Sequence, residues 1–244
     1  MRRAWLIACK DMKESIGQRA MLLRTGLPVL LLPILYAVIA GLMLRSGSHN
    51  PRQAAALAGW VPMYAAFSAL IGTLLTATMA ANAVALERTR HTIEGLLATP
   101  VTDEEFFAGK TLAAFLPGLA AGYGAGVLYF ATLCLIVGTR ALFLPGVGFV
   151  VELLAPMLPV VVALEAILGV MLSARCGTVT GAQQVSGLVS LPIVGASIYL
   201  AYRASQWPLW GLLLLAAGFL VLLAALIYLG GKLLGREEII ARLD

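Results

Sequence analysis

Charge is what this sequence has least of. Only 12% of its 244 residues are Asp, Glu, Lys or Arg while 61% are hydrophobic, a balance that excludes a soluble globular surface. Histidine is nearly missing too. The two, His49 and His91, fall on opposite sides of the membrane topology derived below, so they cannot join in a metal or catalytic cluster. Cys9, Cys134 and Cys176 show neither metal-site spacing nor a disulfide framework. No G-x-x-x-x-G-K-S/T sequence occurs, and Gly230-Gly231-Lys232 lacks the spacing, so ATP binding of the P-loop kind is not expected. No serine is placed with a plausible histidine partner for intramembrane proteolysis. The expectation is a chain that is not itself an enzyme.

What is present is length without charge. Uncharged runs cover residues 25–44, 53–86, 111–139, 176–202 and 204–231, and a sixth run, 148–174, carries only Glu152 and Glu165. A helix needs about 20 residues to cross a bilayer. The runs lack the alternation of a transmembrane barrel, and backbone groups without water must then be satisfied inside helices. The sequence therefore predicts an all-α, polytopic membrane protein, a single transmembrane domain with spans at 27–44, 60–86, 111–138, 148–173, 182–202 and 208–230. The run 25–44 is preceded by about two dozen charged, amphipathic residues and followed by no small-residue cleavage site, which reads as a retained span and not a signal peptide.

Orientation follows from the basic residues. With both termini on one side, that side collects Arg2, Arg3, Lys10, Lys13, Arg19, Arg24, Arg88, Arg90, Lys110, Arg175, Lys232, Arg236 and Arg242. The other side has Arg45, Arg52, Arg140 and Arg203. The positive-inside rule places both termini in the cytoplasm. The formal net charge of +5 then reads as topology and contact with lipid headgroups, and not as a nucleic-acid surface.

Residues 2–24 space Trp5, Cys9, Met12, Ile16, Ala20 and Leu23 three or four apart, which gathers them on one helical face. Arg3, Lys10, Lys13 and Glu14 point elsewhere, and a helix lying in the inner interface is expected; a soluble helix packed on a partner is the alternative. Pro28 and Pro33 permit a bend in the first span. Asn82, near the inner end of the second span, reads first as an interhelical hydrogen bond. In the third span Gly118, Gly122 and Gly126 recur every four residues, a smooth strip suited to close helix approach. That strip serves packing within the chain better than a dimer seam.

The polar segment 87–110 between the second and third spans is the natural place to meet a soluble partner. Thr102-Asp103-Glu104-Glu105 is a capping box, Thr102 as the cap and Glu105 reaching back, and three acids suit the first turn of a helix. Pro100 forces an extended Thr99. Before it, Ile93, Leu96 and Leu97 share one side of a two-turn helix that wants a groove to dock in. A cytoplasmic tail at 232–244 closes the chain.

At these residues the sequence resembles the permeases of type-2 ATP-binding-cassette (ABC) exporters. The resemblance rests on Glu87-Arg88, Thr92-Ile93-Glu94-Gly95-Leu96-Leu97, Thr99-Pro100-Val101 and Gly109-Lys110, with His91-Thr92 standing where Gly-Thr is usual. It extends to the six spans, to Ala182-Gln183-Gln184 opening the fifth, and to Pro192 within it. The resemblance implies a coupling helix around 92–97, seated in the cleft of a separate ATPase subunit. Glu87, Arg88, Thr92, Ile93, Glu94, Gly95, Leu96, Leu97 and Pro100 would then be contacts of that partner. ATP and Mg would be bound there and no cofactor by this chain. It also implies a dimer with a second copy or a paralogue, residence in a bacterial plasma membrane, and a path lined by spans two and five. Asn82, Gln183, Gln184, Ser186 and Ser190 are the residues so implicated. The connection 203–207 is short where many relatives carry larger re-entrant helices.

Glu165 lies deep in the fourth span, where a carboxylate is costly unless paired, protonated or facing a cavity. Glu152 is about 220° away around an ideal helix, so the two do not form one site without a kink. Two other readings stay open at this point. One is a proton- or ion-coupled secondary transporter using Glu165, and the other a membrane anchor that holds a soluble partner and transports nothing. The substrate is not written in the sequence.

Overall fold

In the computed structural model the described residues are 2–17, 22–46, 60–89, 102–143 and 147–204, with six isolated positions between 217 and 228. They form six long helices and no strand. These are α1 (Arg2–Gly17), α2 (Leu27–Ser46), α3 (Trp60–Thr89), α4 (Asp103–Val137), α5 (Val147–Arg175) and α6 (Val179–Ala204). A π-helical turn, Leu22–Gly26, leads into α2, and a 3-10 turn, Thr139–Phe143, follows α4. Among the described residues four stretches are long and apolar enough to cross a membrane: Leu27–Ser46, Trp60–Glu87, Asp103–Val137 and Met157–Arg175. The expected fifth span coincides with α6. The sixth, 208–230, the tail 232–244 and the whole of 90–101 lie outside the described residues.

Helix α3 is the axis, packing on α2, α4, α5 and α6. Small residues let it do so. A Cβ on Gly122 would come within 2.8 Å of the Ala69 carbonyl oxygen and 2.9 Å of Leu158 Cδ2; one on Gly72 would come within 2.6 Å of the Gly122 amide nitrogen. A Cβ on Gly118 would overlap the Thr76 hydroxyl. The glycine strip of α4 is therefore used inside the chain, against Ala69, Gly72 and Thr76. Where lipid tails are as apolar as leucine, this close approach of backbones is what holds helices together.

Two packed clusters mark the ends of the bundle. At one end Tyr129 and Leu133 of α4 meet Ala37 and Ala40 of α2, Val61 and Ala65 of α3 and Ala141, and the buried Tyr129 hydroxyl donates to the Val61 carbonyl at 3.0 Å. Gly138 ends α4 there with φ 92°, a conformation that suits glycine. At the other end, called here the elbow end, Phe106 and Phe107 of α4 pack with Met79, Ala80 and Val84 of α3 and Ala166, Ile167, Val170 and Ala174 of α5. Away from these contacts the surface is apolar: Leu27, Leu30, Leu31, Leu35 and Leu42 of α2 are all at least half exposed, as lipid-facing residues are.

The length of α4 positions the elbow. Its 35 residues rise roughly 52 Å at 1.5 Å each, about 20 Å more than a hydrocarbon core of about 30 Å. If its far end stops near the membrane boundary, its first turns stand clear of the core.

Candidate functional site

The elbow is built from a local signal. Thr102 is extended at φ −75°, ψ 156°, its hydroxyl accepts from the Glu105 amide at 3.2 Å, and its own amide donates to Glu105 Oε2 at 3.5 Å. Asp103, Glu104 and Glu105 fill the first turn, where the positive end of the helix dipole favours them. One turn further on, Phe106 and Phe107 are buried, so the start of α4 is fixed both by its cap and by its packing.

Gly109 and Lys110 come next, and each answers to another helix. A Cβ on Gly109 would lie 2.9 Å from the Ala4 carbonyl oxygen and 2.9 Å from Ile7 Cβ, so α1 can lie against α4 only because that side chain is absent. Lys110 is 1% exposed. Its ammonium is 2.8 Å from Asp11 Oδ2 of α1 and 2.6 Å from Glu87 Oε1 of α3, and it lies 5.6 Å from the centre of the Phe106 ring. Lys10 approaches Glu87 Oε1 at 3.6 Å from the more exposed side. One buried cation thus binds three helices together at the point where α3 ends and α4 begins. A buried ion pair is weak evidence of net stability, but removing one partner leaves an uncompensated charge and costs about 3–5 kcal/mol. Beside this lock opens a cleft of about 240 Å³, lined by Lys10, Asp11, Glu14 and Ser15 of α1, by Asn82 and Glu87 of α3 and by Lys110.

The N-terminal helix accordingly has two apolar faces. Trp5 is 51% exposed and Leu6 63%, while Ala4 and Ala8 are buried against the bundle. The expected stripe through Trp5, Cys9 and Met12 is the neighbouring one, and Lys10, expected to point away, reaches Glu87. Asp11 escaped sequence reasoning. It continues the small-residue face Ala4-Ala8 at the next helical step, and an acid on such a face is the signal that could have found it.

A second polar seam runs deeper, between α3, α5 and α6. Gln183 Nε2 donates to Asn82 Oδ1 at 3.0 Å, joining α6 to α3. Ser173, near the end of α5, donates to the Ala81 carbonyl at 2.6 Å and accepts from the Val84 and Ala85 amides at 3.1 and 3.0 Å. A hydroxyl inserted into a helix ladder in this way is a recognised cause of bending, and it lies next to Asn82. Nothing in the sequence around Ser173 announces this role. Further along, Glu165 of α5 is 3% exposed and Ser186 of α6 is 4% exposed. Both, with Ser190, line one small cavity.

Of the residues singled out from sequence, the structure brings Glu87 to Lys110, Asn82 to Gln183, and Glu165 to Ser186 and Ser190. Gln184 is exposed on the other side of α6. Arg88 lies in α3 and Glu152 in α5, with side chains outside the described residues; Thr92, Ile93, Glu94, Gly95, Leu96, Leu97 and Pro100 lie outside them altogether. Among the described residues no three His, Cys, Asp or Glu are grouped to hold a metal ion.

No curated protein matches this chain. The model of the family described as ABC-2 family transporter protein matches residues 5–206, a stretch that runs from the N-terminal helix past the end of α6.

Proposed function

Because that match covers most of its length, the chain belongs to the ABC-2 transporter family, and on this premise we propose that it is the permease subunit of an ABC exporter, driven by a separate ATPase. It is a multi-pass membrane protein with a transport role. Permeases of this family generally work with an ABC ATPase subunit, and the segment 90–101 is where we read the contact with it.

The observation that carries this reading is the lock at Lys110. A partner that pushes on 90–101 pushes on both ends of the segment, Glu87 at the close of α3 and the capped start of α4. The lock and the capping box make those two ends, together with α1, a single body. Motion delivered by closure of an ATPase pair would then reach α3 and α4 as a rigid displacement, not as local bending. Interfaces of packed helices respond to such pushes by moving between discrete arrangements. The lipid-facing stripe of α1, with Trp5 and Leu6 outward and Lys13 beside them, suits a helix in the inner interface. The subunit would pair with a second copy or a paralogue, with both termini cytoplasmic, in a bacterial plasma membrane.

The test is a mild-detergent purification of the tagged chain from its own cells. A P-loop ATPase that co-purifies in equal amount, and is lost on Leu97→Asp or Glu94→Arg, supports the reading. A chain that comes alone and catalyses pH-driven flux in liposomes overturns it.

A further inference from the structure

Glu165 is a buried carboxyl in the middle of a membrane-crossing helix, 3% exposed. Both of its carboxylate oxygens are buried and make no close hydrogen bond, Ser190 being the hydroxyl that interacts with the carboxyl, and the Ser186 hydroxyl is unpaired among the described residues. The two groups face one cavity of about 10 Å³ at the contact of α5 with α6. That is close to the smallest space that holds a single water-sized group. The rest of its wall is Ala77, Leu168, Gly169, Leu172, Val189 and Ile193, with Ser190 the remaining polar residue. Among the described residues no other ionisable side chain of α3, α5 or α6 lines it.

Glu165 and Ser186 are not bonded to each other, and both border the cavity. An uncompensated carboxylate in an apolar interior costs several kcal/mol or more, and a small cation in the cavity would compensate the carboxylate and bond to the hydroxyl together. The donors are all oxygens, which suit hard cations and N–H donors. A single carboxylate is too little for calcium, which takes six to eight oxygen ligands, and no cluster of further acidic ligands is present among the described residues. The surroundings support passage as well as binding. Gln183, Ser186, Ser190 and Ser197 fall within roughly 60° of one another on α6 at 100° per residue, a polar line about 20 Å long at 1.5 Å per residue. Ser190 and Ser197 donate to the carbonyls of Ser186 and Ile193, and Gln183 ends the line at Asn82.

We infer that Glu165, Ser186 and Ser190 form a recognition site for one compact monovalent cation of the cargo, either an alkali ion or the ammonium head of a primary amine. Its place in transport rests on the permease reading. Binding itself belongs to this chain and is measured without an ATPase, so the two can fail separately.

The experiment is thermal unfolding of the purified full chain in nanodiscs at fixed pH and ionic strength, titrating sodium chloride, potassium chloride or methylammonium chloride against choline chloride. The expected result is a saturable upward shift of the midpoint with one of the small cations, lost in Glu165→Gln and weakened in Ser186→Ala and Ser190→Ala. Whether the metal ions or methylammonium give the shift distinguishes the two sources. The inference is overturned if choline shifts the midpoint equally, if the shift survives in Glu165→Gln, or if no salt acts in any variant and only pH moves the midpoint through Glu165. That last outcome would make the site a proton carrier with a resident water.

Discussion

At the elbow Lys110 is 1% exposed and is held by two carboxylates; in the middle of α5 Glu165 is 3% exposed and meets only hydroxyls and apolar groups among the described residues. Both are ionisable groups in an apolar protein, and the difference lies in who supplies the opposite charge. At the elbow the fold supplies it, from α1 and α3, and the result is a fixed joint. In the seam the fold supplies hydroxyls and, among the described residues, no opposite charge. The first arrangement suits a part that transmits force, the second a part that binds and lets go.

The strongest way to break this contrast is to remove the cation at the elbow. Lys110→Met should leave Asp11 and Glu87 without their shared buried cation, with only the more exposed Lys10 near Glu87, and destabilise the chain by about 3–5 kcal/mol, read as a lower unfolding midpoint in detergent. Adding Asp11→Asn to Lys110→Met should cost less than the sum of the single changes, since the two residues share one interaction.

Packing should come second. Gly122→Ala drives a methyl against the Ala69 carbonyl and Leu158, with an expected loss of about 1–3 kcal/mol. Gly124→Ala, where a Cβ meets nothing within 4 Å, is the control on the same helix and should be tolerated. Third, Thr102→Ala removes the cap of α4 for about 1 kcal/mol, and Thr102→Ser should restore most of it. Thermal unfolding of the set ranks these changes.

The smallest effect on stability is expected where the charge is unpaired. Glu165→Gln keeps the shape and removes the carboxylate, so the midpoint in choline chloride should stay or rise, while Lys110→Met falls steeply under the same conditions. A fall in Glu165→Gln as large as that of Lys110→Met would mean that Glu165 is a structural partner like those at the elbow, and the contrast would be gone.

The parts of this design that were legible in the sequence are those written within a few residues. The cap at Thr102 and Glu105 is a four-residue pattern, and the start of α4 at Asp103 follows from it. The long helices follow from uncharged runs, and the strip Gly118-Gly122-Gly126 from a four-residue period. The lock was not legible. Glu87 and Lys110 are 23 positions apart and Asp11 another 76 before Glu87, and their meeting depends on α1 lying against α4, which Gly109 permits. Glu87 was read as a partner contact from the pattern of the segment, and nothing in its neighbours announced that its carboxylate meets Lys10 and Lys110. Ser173 was hidden for the same reason, since it acts on a backbone about 90 positions away. Glu165 could be singled out from its depth in a span, whereas its company on α6 became visible only once the helices were packed.

The central claim is that the elbow carries motion from an ATPase into the membrane helices as one rigid piece. The most direct measurement is ATPase activity of the reconstituted complex in nanodiscs, comparing wild type with Lys110→Glu and with the double reversal Lys110→Glu/Glu87→Lys, at equal ATPase occupancy. The account predicts that the single reversal keeps the ATPase bound but loses its stimulation by the permease, and that the double reversal regains a measurable part of it. Full stimulation in the single reversal, with the ATPase bound as tightly as in wild type, would contradict the account.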